Sequence, residues 1–395
     1  MTDPDLALVL SGGGARAAYQ IGLLRHLASR HPDLSPGILT GVSAGGIIAT
    51  CLASRDGDFR SAVTELHDLW RSLRIEDVFH VDPSDLASRV AQWGLRLVSG
   101  GVPVTPRARS LVNTTPLHDL LIRTLKPAGD DTFPGIARNL TGGRLRAVAL
   151  TASSYSTGQS VTWVQSVEGC GAMTWEGIPL ERVDRCLGVD HVMASSALPF
   201  FFPAVEIDGA WYGDGGIRLT APLSPAIHLG ARKIMVVSTR YARTREEAAR
   251  PVVRGYPPPA QVAGVLLNAI FLDLLDADAL KLQQLNALLD RVPPDARGGL
   301  RHVDLLVLRP SRDLGQLANE CEADLPRSFR FLVRGLGSRE TRSNDMLSLL
   351  MFQQDYIARL IELGENDARA RADEIDAFLE TASGAAQPQR QSASR

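Results

Sequence analysis

The sequence predicts an α/β fold with a mainly parallel central sheet and helices on both faces. Three observations carry that prediction. Short strand-like runs recur at Leu6–Leu10, Ile38–Gly41, Leu145–Thr151, Ser160–Gln165, Ala204–Ile207, Lys233–Ser238 and Val303–Leu308. Helical patterns lie between most of them, as strand–helix–strand crossovers require. The length of 395 residues, 45% of them apolar, suffices to bury a large core, as one α/β unit with extra helices or as two domains.

The first strand, Leu6-Ala7-Leu8-Val9-Leu10, is apolar throughout and runs into Ser11-Gly12-Gly13-Gly14-Ala15-Arg16. A helix is expected next, because Ala18, Ile21, Leu24 and Leu27 fall on one face. Ser35-Pro36-Gly37 turns the chain into the second strand, which ends at Gly41-Val42-Ser43-Ala44-Gly45, and the apolar run from Gly46 to Ala53 reads as a helix. Residues 59–128 read as a mostly helical insertion. Within it Leu86, Val90, Trp93 and Leu97 share a helical face with Arg89 and Arg96 turned away, which describes either a helix docked on the core or a lipid-facing lip over Ser43. A hairpin from Val205 to Tyr212 leads into Gly213-Asp214-Gly215-Gly216. The proline-rich stretch from Pro251 to Pro259 reads as a linker or surface loop. Beyond it Phe271, Leu274, Leu275, Leu282, Leu285 and Leu289 define a long amphipathic helix with Asp273, Asp276 and Asp278 opposite. Further helical patterns cover Arg327–Arg334, Asp345–Leu363 and Asp367–Leu379, and the small, polar tail from Thr381 is expected to be disordered. The expected divisions are a catalytic unit at 1–245, a helical extension with one added strand at 246–380, packed on the core, and a tail at 381–395.

Three glycine-rich turns carry the chemistry. A serine on a tight strand-to-helix turn has its hydroxyl held outward, glycines two residues away on each side (Gly41 and Gly45) relieve crowding, and the following helix aims its amides at the serine. The three glycines between the first strand and helix leave backbone amides free to converge on one spot, where an oxyanion would sit. An aspartate among glycines, Asp214, can reach a serine hydroxyl as a general base. Gly12-x-Gly14-x-x-Ala17 also fits a loose dinucleotide fingerprint, but the acidic residue expected at the end of a second strand is replaced by the helix exit Ser29-Arg30-His31-Pro32-Asp33-Leu34. A Ser–His–Asp triad would need a histidine in an exposed turn. His228 lies on an expected helix and His302 opens an expected buried strand, while His67, His80, His118 and His191 precede Asp214 in ordinary contexts.

Together these motifs resemble the patatin-like phospholipases. The likeness is carried by Ser11 to Gly22, Gly41 to Gly45, Ala194-Ser195-Ser196-Ala197-Leu198-Pro199, Asp214-Gly215-Gly216 and the segment Ala221 to Ala231, and it spans residues 5 to about 240. The resemblance implies a three-layer α/β/α fold and a Ser–Asp dyad without histidine. Ser43 would be the nucleophile and Asp214 its base, with Gly12, Gly13, Gly14 and the motif's basic residue Arg16 at the oxyanion hole. Gly215 and Gly216 would form the acid turn. One departure is Ala17, where the family usually has glycine. The implied activity is hydrolysis of an acyl ester of a phospholipid or other lipid through an acyl-enzyme, with no metal or organic cofactor. A transacylase or thioesterase with the same dyad, and a lipid-binding module without turnover, stay open at this point.

Composition excludes other classes. A net charge of −2, from 42 basic and 44 acidic residues, gives no nucleic-acid signature and no general attraction to anionic membranes, although peripheral membrane contact is compatible with it. Cys51, Cys170, Cys186 and Cys321 show no framework spacing and are expected to be reduced, and no metal-ligand spacing is present. The acidic start Met1-Thr2-Asp3-Pro4-Asp5 carries no signal-peptide pattern, and Val262 to Leu272 is too short to span a bilayer, so the default expectation is a cytoplasmic protein. The oligomeric state is not legible.

Overall fold

A computed structural model of the chain describes residues 2–80, 110–167, 180–249, 256–271, 274–321 and 344–381. The expected helix around Leu86–Leu97, the pattern at Arg327–Arg334 and the tail beyond residue 381 lie outside the described residues.

Within them the chain forms β1 (Thr2–Leu10), α1 (Ala18–Arg30), β2 (Ser35–Val42), α2 (Ala44–Ser54) and α3 (Phe59–Ser72). There follow α4 (Thr115–Leu125), α5 (Pro134–Thr141), β3 (Ala147–Ser154), β4 (Ser160–Ser166), β5 (Leu180–Asp184) and α6 (Val189–Ser195). Next come β6 (Val205–Ile207), β7 (Ala210–Asp214), α7 (Ser224–His228) and β8 (Lys233–Val237). The remainder is α8 (Pro259–Phe271), α9 (Leu274–Leu289), β9 (Asp304–Leu308), α10 (Leu314–Glu320), α11 (Asp345–Leu350), α12 (Gln354–Ala370) and α13 (Ala372–Glu380).

The strands make one sheet in the order β5-β4-β3-β2-β1-β8-β9, with β7 paired to β3 and to β6. The run from β3 to β9 is parallel throughout, whereas β4 and β7 are both antiparallel to β3. All seven strands expected from sequence are present. β5 was not expected, because Leu-Glu-Arg-Val-Asp buries only Leu180 and has the composition of an edge.

The period of two along each strand divides the core into two layers. Leu6, Leu8 and Leu10 of β1 and Met235 and Val237 of β8 face a layer that includes α1, α2 and α3. Ala7 and Val9, with Ile234 and Val236, face α7 and α9 through Ala226, Leu275 and Leu282. A sheet buried on both faces selects consecutive apolar residues, and each leucine buried this way contributes about 1.5–3 kcal/mol. α1 is buried around most of its circumference because α12 covers the face that the sheet does not. The two helices cross at glycines: a Cβ on Gly22 would overlap the Ile361 carbonyl, and one on Gly364 would overlap that of Tyr19.

The long helix expected at Asp345–Leu363 is divided. Residues 351–353 leave the helical conformation between α11 and α12, with Met351 and Phe352 both buried in the core. Among the described residues, no helix is long and apolar enough to cross a membrane.

Candidate active site

The carboxyl ends of the neighbouring strands β2, β1 and β8 lie side by side in the middle of the sheet, and Ser43 stands there on the turn between β2 and α2. Its backbone lies at φ 57°, ψ −133°, a region that costs a non-glycine residue about 1–3 kcal/mol. Neighbours hold it there. The Ser43 N–H donates to both the carbonyl and the hydroxyl oxygen of Ser195 at 3.1 Å, and the Ser195 hydroxyl donates to the Thr151 carbonyl at 2.7 Å. On the other side the Ser43 carbonyl accepts from the N–H groups of Gly46 (2.8 Å) and Ile47 (3.2 Å). A side chain on Gly45 would overlap the carbonyls of Leu10 and Ser11, and one on Gly41 would overlap that of Gly45, so both positions permit close contact between β1, β2 and α2.

The glycine loop after β1 lies directly against the serine. A Cβ built on Gly12 would stand 3.1 Å from the Ser43 Cβ and 3.8 Å from its Oγ. The loop carbonyls are occupied from behind. Gly12 O accepts from the Thr239 hydroxyl at 2.7 Å, Ser11 O from the Gln20 amide at 2.7 Å, and Gly13 O from the Arg16 N–H at 3.0 Å. With the carbonyls held on that side, and with no described hydrogen bond engaging the N–H of Gly12 or Gly13, the loop has donors available for an anion. Gly13 sits at φ 146°, a conformation that only glycine adopts at little cost.

Asp214 ends β7, opposite Ala152 of β3, and its side chain is fully buried. Desolvation pushes its pKa up to about 7; the Ser43 hydroxyl and the Gly216 N–H work in the opposite direction by hydrogen bonding to the carboxylate. The Gly216 bond to Oδ1 measures 2.9 Å. Oδ2 has no partner at full hydrogen-bonding geometry, so the contact with Ser43 is loose, as is common in sites without substrate. A Cβ on Gly215 would overlap the Thr151 carbonyl and the Val42 side chain, so only glycine lets the Asp214 turn lie this close to the Ser43 turn.

Ser43, Asp214, Gly13 and Gly14 open into a single cavity of about 860 Å³, mouth included. Its walls are almost wholly apolar. Ala44, Ile47 and Cys51 come from α2, Leu69 and Trp70 from α3, and Leu117 and Leu121 from α4. Leu349 and Leu350 of α11, with Phe352, complete the lining. Such a cavity takes an extended apolar group whose reacting end lies at the polar mouth.

The sequence matches the Patatin family, described as patatin-like phospholipase, over residues 8–227, more than half of the chain. The chain belongs to the patatin-like phospholipase family. Among curated proteins none matches it significantly. Solved structures similar to it include VipD from Legionella pneumophila, at 13% identity over 94% of this chain and 67% of that one, with a TM-score of 0.35. Human GIVD cytosolic phospholipase A2 is 12% identical over 95% of this chain and 62% of its own, with a TM-score of 0.44. ExoU in its complex with SpcU, from the type III secretion system of Pseudomonas aeruginosa, is 15% identical over 95% and 77%, with a TM-score of 0.27. This chain thus spans about three-fifths of the human enzyme's length. The family assignment rests on the match over residues 8–227.

The patatin-like motifs converge on one site, with one exception in placement. Ser43, Asp214, Gly13 and Gly14 line the cavity, Gly12 lies against Ser43, and Gly41, Gly45, Gly215 and Gly216 pack the turns that carry Ser43 and Asp214. The Arg16 guanidinium is instead engaged with Asp345 and Ser348. Three residues at the site were missed from sequence: Ser195 and Thr239, which hold the two loops, and Gln20 behind them. Ser195 stood inside a recognised block, yet nothing in the block says that its hydroxyl would reach the Ser43 amide. Two of the histidines weighed from sequence are occupied elsewhere. His191 packs on Trp163 and accepts from the Gly188 N–H at 3.0 Å, while His302 pairs with Asp290 and Asp304. Among the described residues, no group of three or more His, Cys, Asp or Glu side chains could hold a metal ion.

Proposed function

We propose that this patatin-like protein is a serine acyl hydrolase of phospholipids or lysophospholipids, with Ser43 as nucleophile and Asp214 as general base. The observation that carries the reading is a fully buried aspartate beside a strained serine at the mouth of an apolar cavity. An acyl chain lies in the cavity with its ester carbonyl at Ser43. Asp214 takes the hydroxyl proton as Oγ attacks the carbonyl carbon, and the glycine-loop amides hold the oxyanion, each such donor contributing about 3–4 kcal/mol. Collapse of the tetrahedral intermediate expels the alcohol, which leaves with the proton from Asp214. Water, deprotonated by the same carboxylate, then releases the fatty acid and restores Ser43. On this reading residues 1–245 carry the catalytic groups, and 246–380 supply part of the cavity wall.

The test is labelling by a fluorophosphonate probe, read by intact mass, alongside hydrolysis of phospholipid vesicles. Wild type is expected to gain one adduct at Ser43 and to release fatty acid. Ser43→Ala and Asp214→Asn, folded by circular dichroism, are expected to do neither. Unchanged turnover in either variant would overturn the dyad.

A further inference from the structure

The site already described leaves one buried charged cluster unused. Arg16 follows the glycine loop in the tight turn Gly14–Ala17 and is only 3% exposed. Its Nη2 donates to Asp345 Oδ1 at 2.6 Å and to the Asp345 carbonyl at 3.2 Å, and its Nε donates to the Ser348 hydroxyl at 2.6 Å. The Ser348 hydroxyl in turn donates to the Asp345 carbonyl at 2.7 Å. Asn268 Oδ1 accepts from Nη1 at 3.3 Å. Every side-chain nitrogen of Arg16 is therefore fixed, and α11 supplies most of the acceptors.

The same six-residue helix does two more things. The carbonyl of Leu349 stands against Gly14, leaving no space for a Cβ there, and Leu349 and Leu350 line the catalytic cavity. α11 is itself anchored at its start, where Asn344 Oδ1 accepts from the Leu347 N–H at 3.0 Å and the Asn344 N–H donates to Gly315 O at 3.2 Å. A continuous set of contacts thus runs from the Asp345 carboxylate through the Arg16 guanidinium to the Arg16 N–H, and from there to the Gly13 carbonyl. A buried ion pair is a poor source of net stability, because desolvation offsets its attraction. Its directional bonds fix geometry, and the geometry fixed here is that of the loop beside Ser43.

We propose that Asp345, acting through Arg16, is a positioning residue for the oxyanion loop. The proposal rests on the hydrolase reading above. Oxyanion donors act on the transition state and not on the bound ester, so displacing them lowers kcat and leaves KM nearly unchanged.

The experiment compares wild type, Asp345→Asn, Ser348→Ala and Glu365→Gln in the full chain, on a soluble p-nitrophenyl ester and with the fluorophosphonate probe. All assays are run well below each variant's Tm. Glu365 pairs with Arg25 at the exposed crossing of α12 and α1 and is the control for loss of an ordinary contact. For Asp345→Asn, kcat and the rate of labelling are expected to fall about 100-fold, the scale of a displacement near 1 Å, with KM within about twofold. Ser348→Ala is expected to fall in the same direction by less, and Glu365→Gln to match wild type. Asp345→Asn with a lowered Tm but wild-type kcat overturns the proposal, since the pair would then be structural alone. If Asp345→Asn does not fold, Ser348→Ala decides by the same criterion. A folded wild type inert to both ester and probe removes the hydrolase reading and this proposal with it, whereas an active wild type beside unaffected variants removes this proposal alone.

Discussion

A carboxyl that takes a proton from an alcohol near neutral pH must be more basic than an ordinary aspartate, and Asp214 reaches that state through burial. With its pKa pushed up to about 7, kcat/KM is expected to rise with pH and level off above about 7, which a pH–rate profile on a soluble ester checks. Stability moves the other way. Between about pH 4 and 7 the unfolded chain has released this proton and the folded protein still holds it, so the stabilisation is full below about 4 and is lost as pH rises through about 7. Asp214→Asn keeps the shape and removes the buried charge. It is expected to be inactive yet more stable than wild type at pH 8, by an amount on the order of a few kcal/mol, and to lose that advantage at pH 4. Denaturant titrations at the two pH values give the comparison. Ser43 carries a second local cost in its backbone, which the two bonds to Ser195 offset.

At the scale of elements, α2 both presents Ser43, the proposed nucleophile, and lines the cavity. Ala44, Ile47 and Cys51 share one face, and seven residues at 1.5 Å each put Cys51 about 10 Å beyond the helix start. Cys51→Trp is therefore expected to shift preference towards shorter acyl chains, with turnover of a short p-nitrophenyl ester kept and that of a long one lost. An unchanged chain-length profile would place the acyl group elsewhere. Turns and strands were legible in the sequence for physical reasons. Leu6–Leu10 is short, apolar throughout and closed by three glycines, which favours a strand buried on both faces, and Asp214 was marked by the glycines that its close approach demands. Ser195 and Thr239 were not legible, because an isolated hydroxyl has no signature until tertiary packing brings it within 3.1 Å and 2.7 Å of a loop. The division between α11 and α12 was hidden for a related reason: Met351 and Phe352 fit a helical pattern, and the sequence carries no glycine or proline there to mark the break.

Among the described residues, the molecule is held by a sheet with nine strands and by the crossing of α1 on α12, where Gly22 and Gly364 allow the backbones to touch. Gly364→Ala has no room for its methyl group against the Tyr19 carbonyl and is expected to cost about 1–3 kcal/mol, read as a lower Tm with unaltered KM. The cavity wall formed by Leu349, Leu350 and Phe352 has a consequence in the order of biosynthesis. A ribosome making this chain completes Ser43 and Asp214 more than a hundred residues before that wall, an interval on the order of ten seconds at ordinary elongation rates. Throughout that interval the nascent polypeptide carries both proposed reacting groups but lacks the side of the cavity formed by Leu349, Leu350 and Phe352. On the hydrolase reading, the chain lacks part of its acyl-binding wall until translation is well past Ser43 and Asp214.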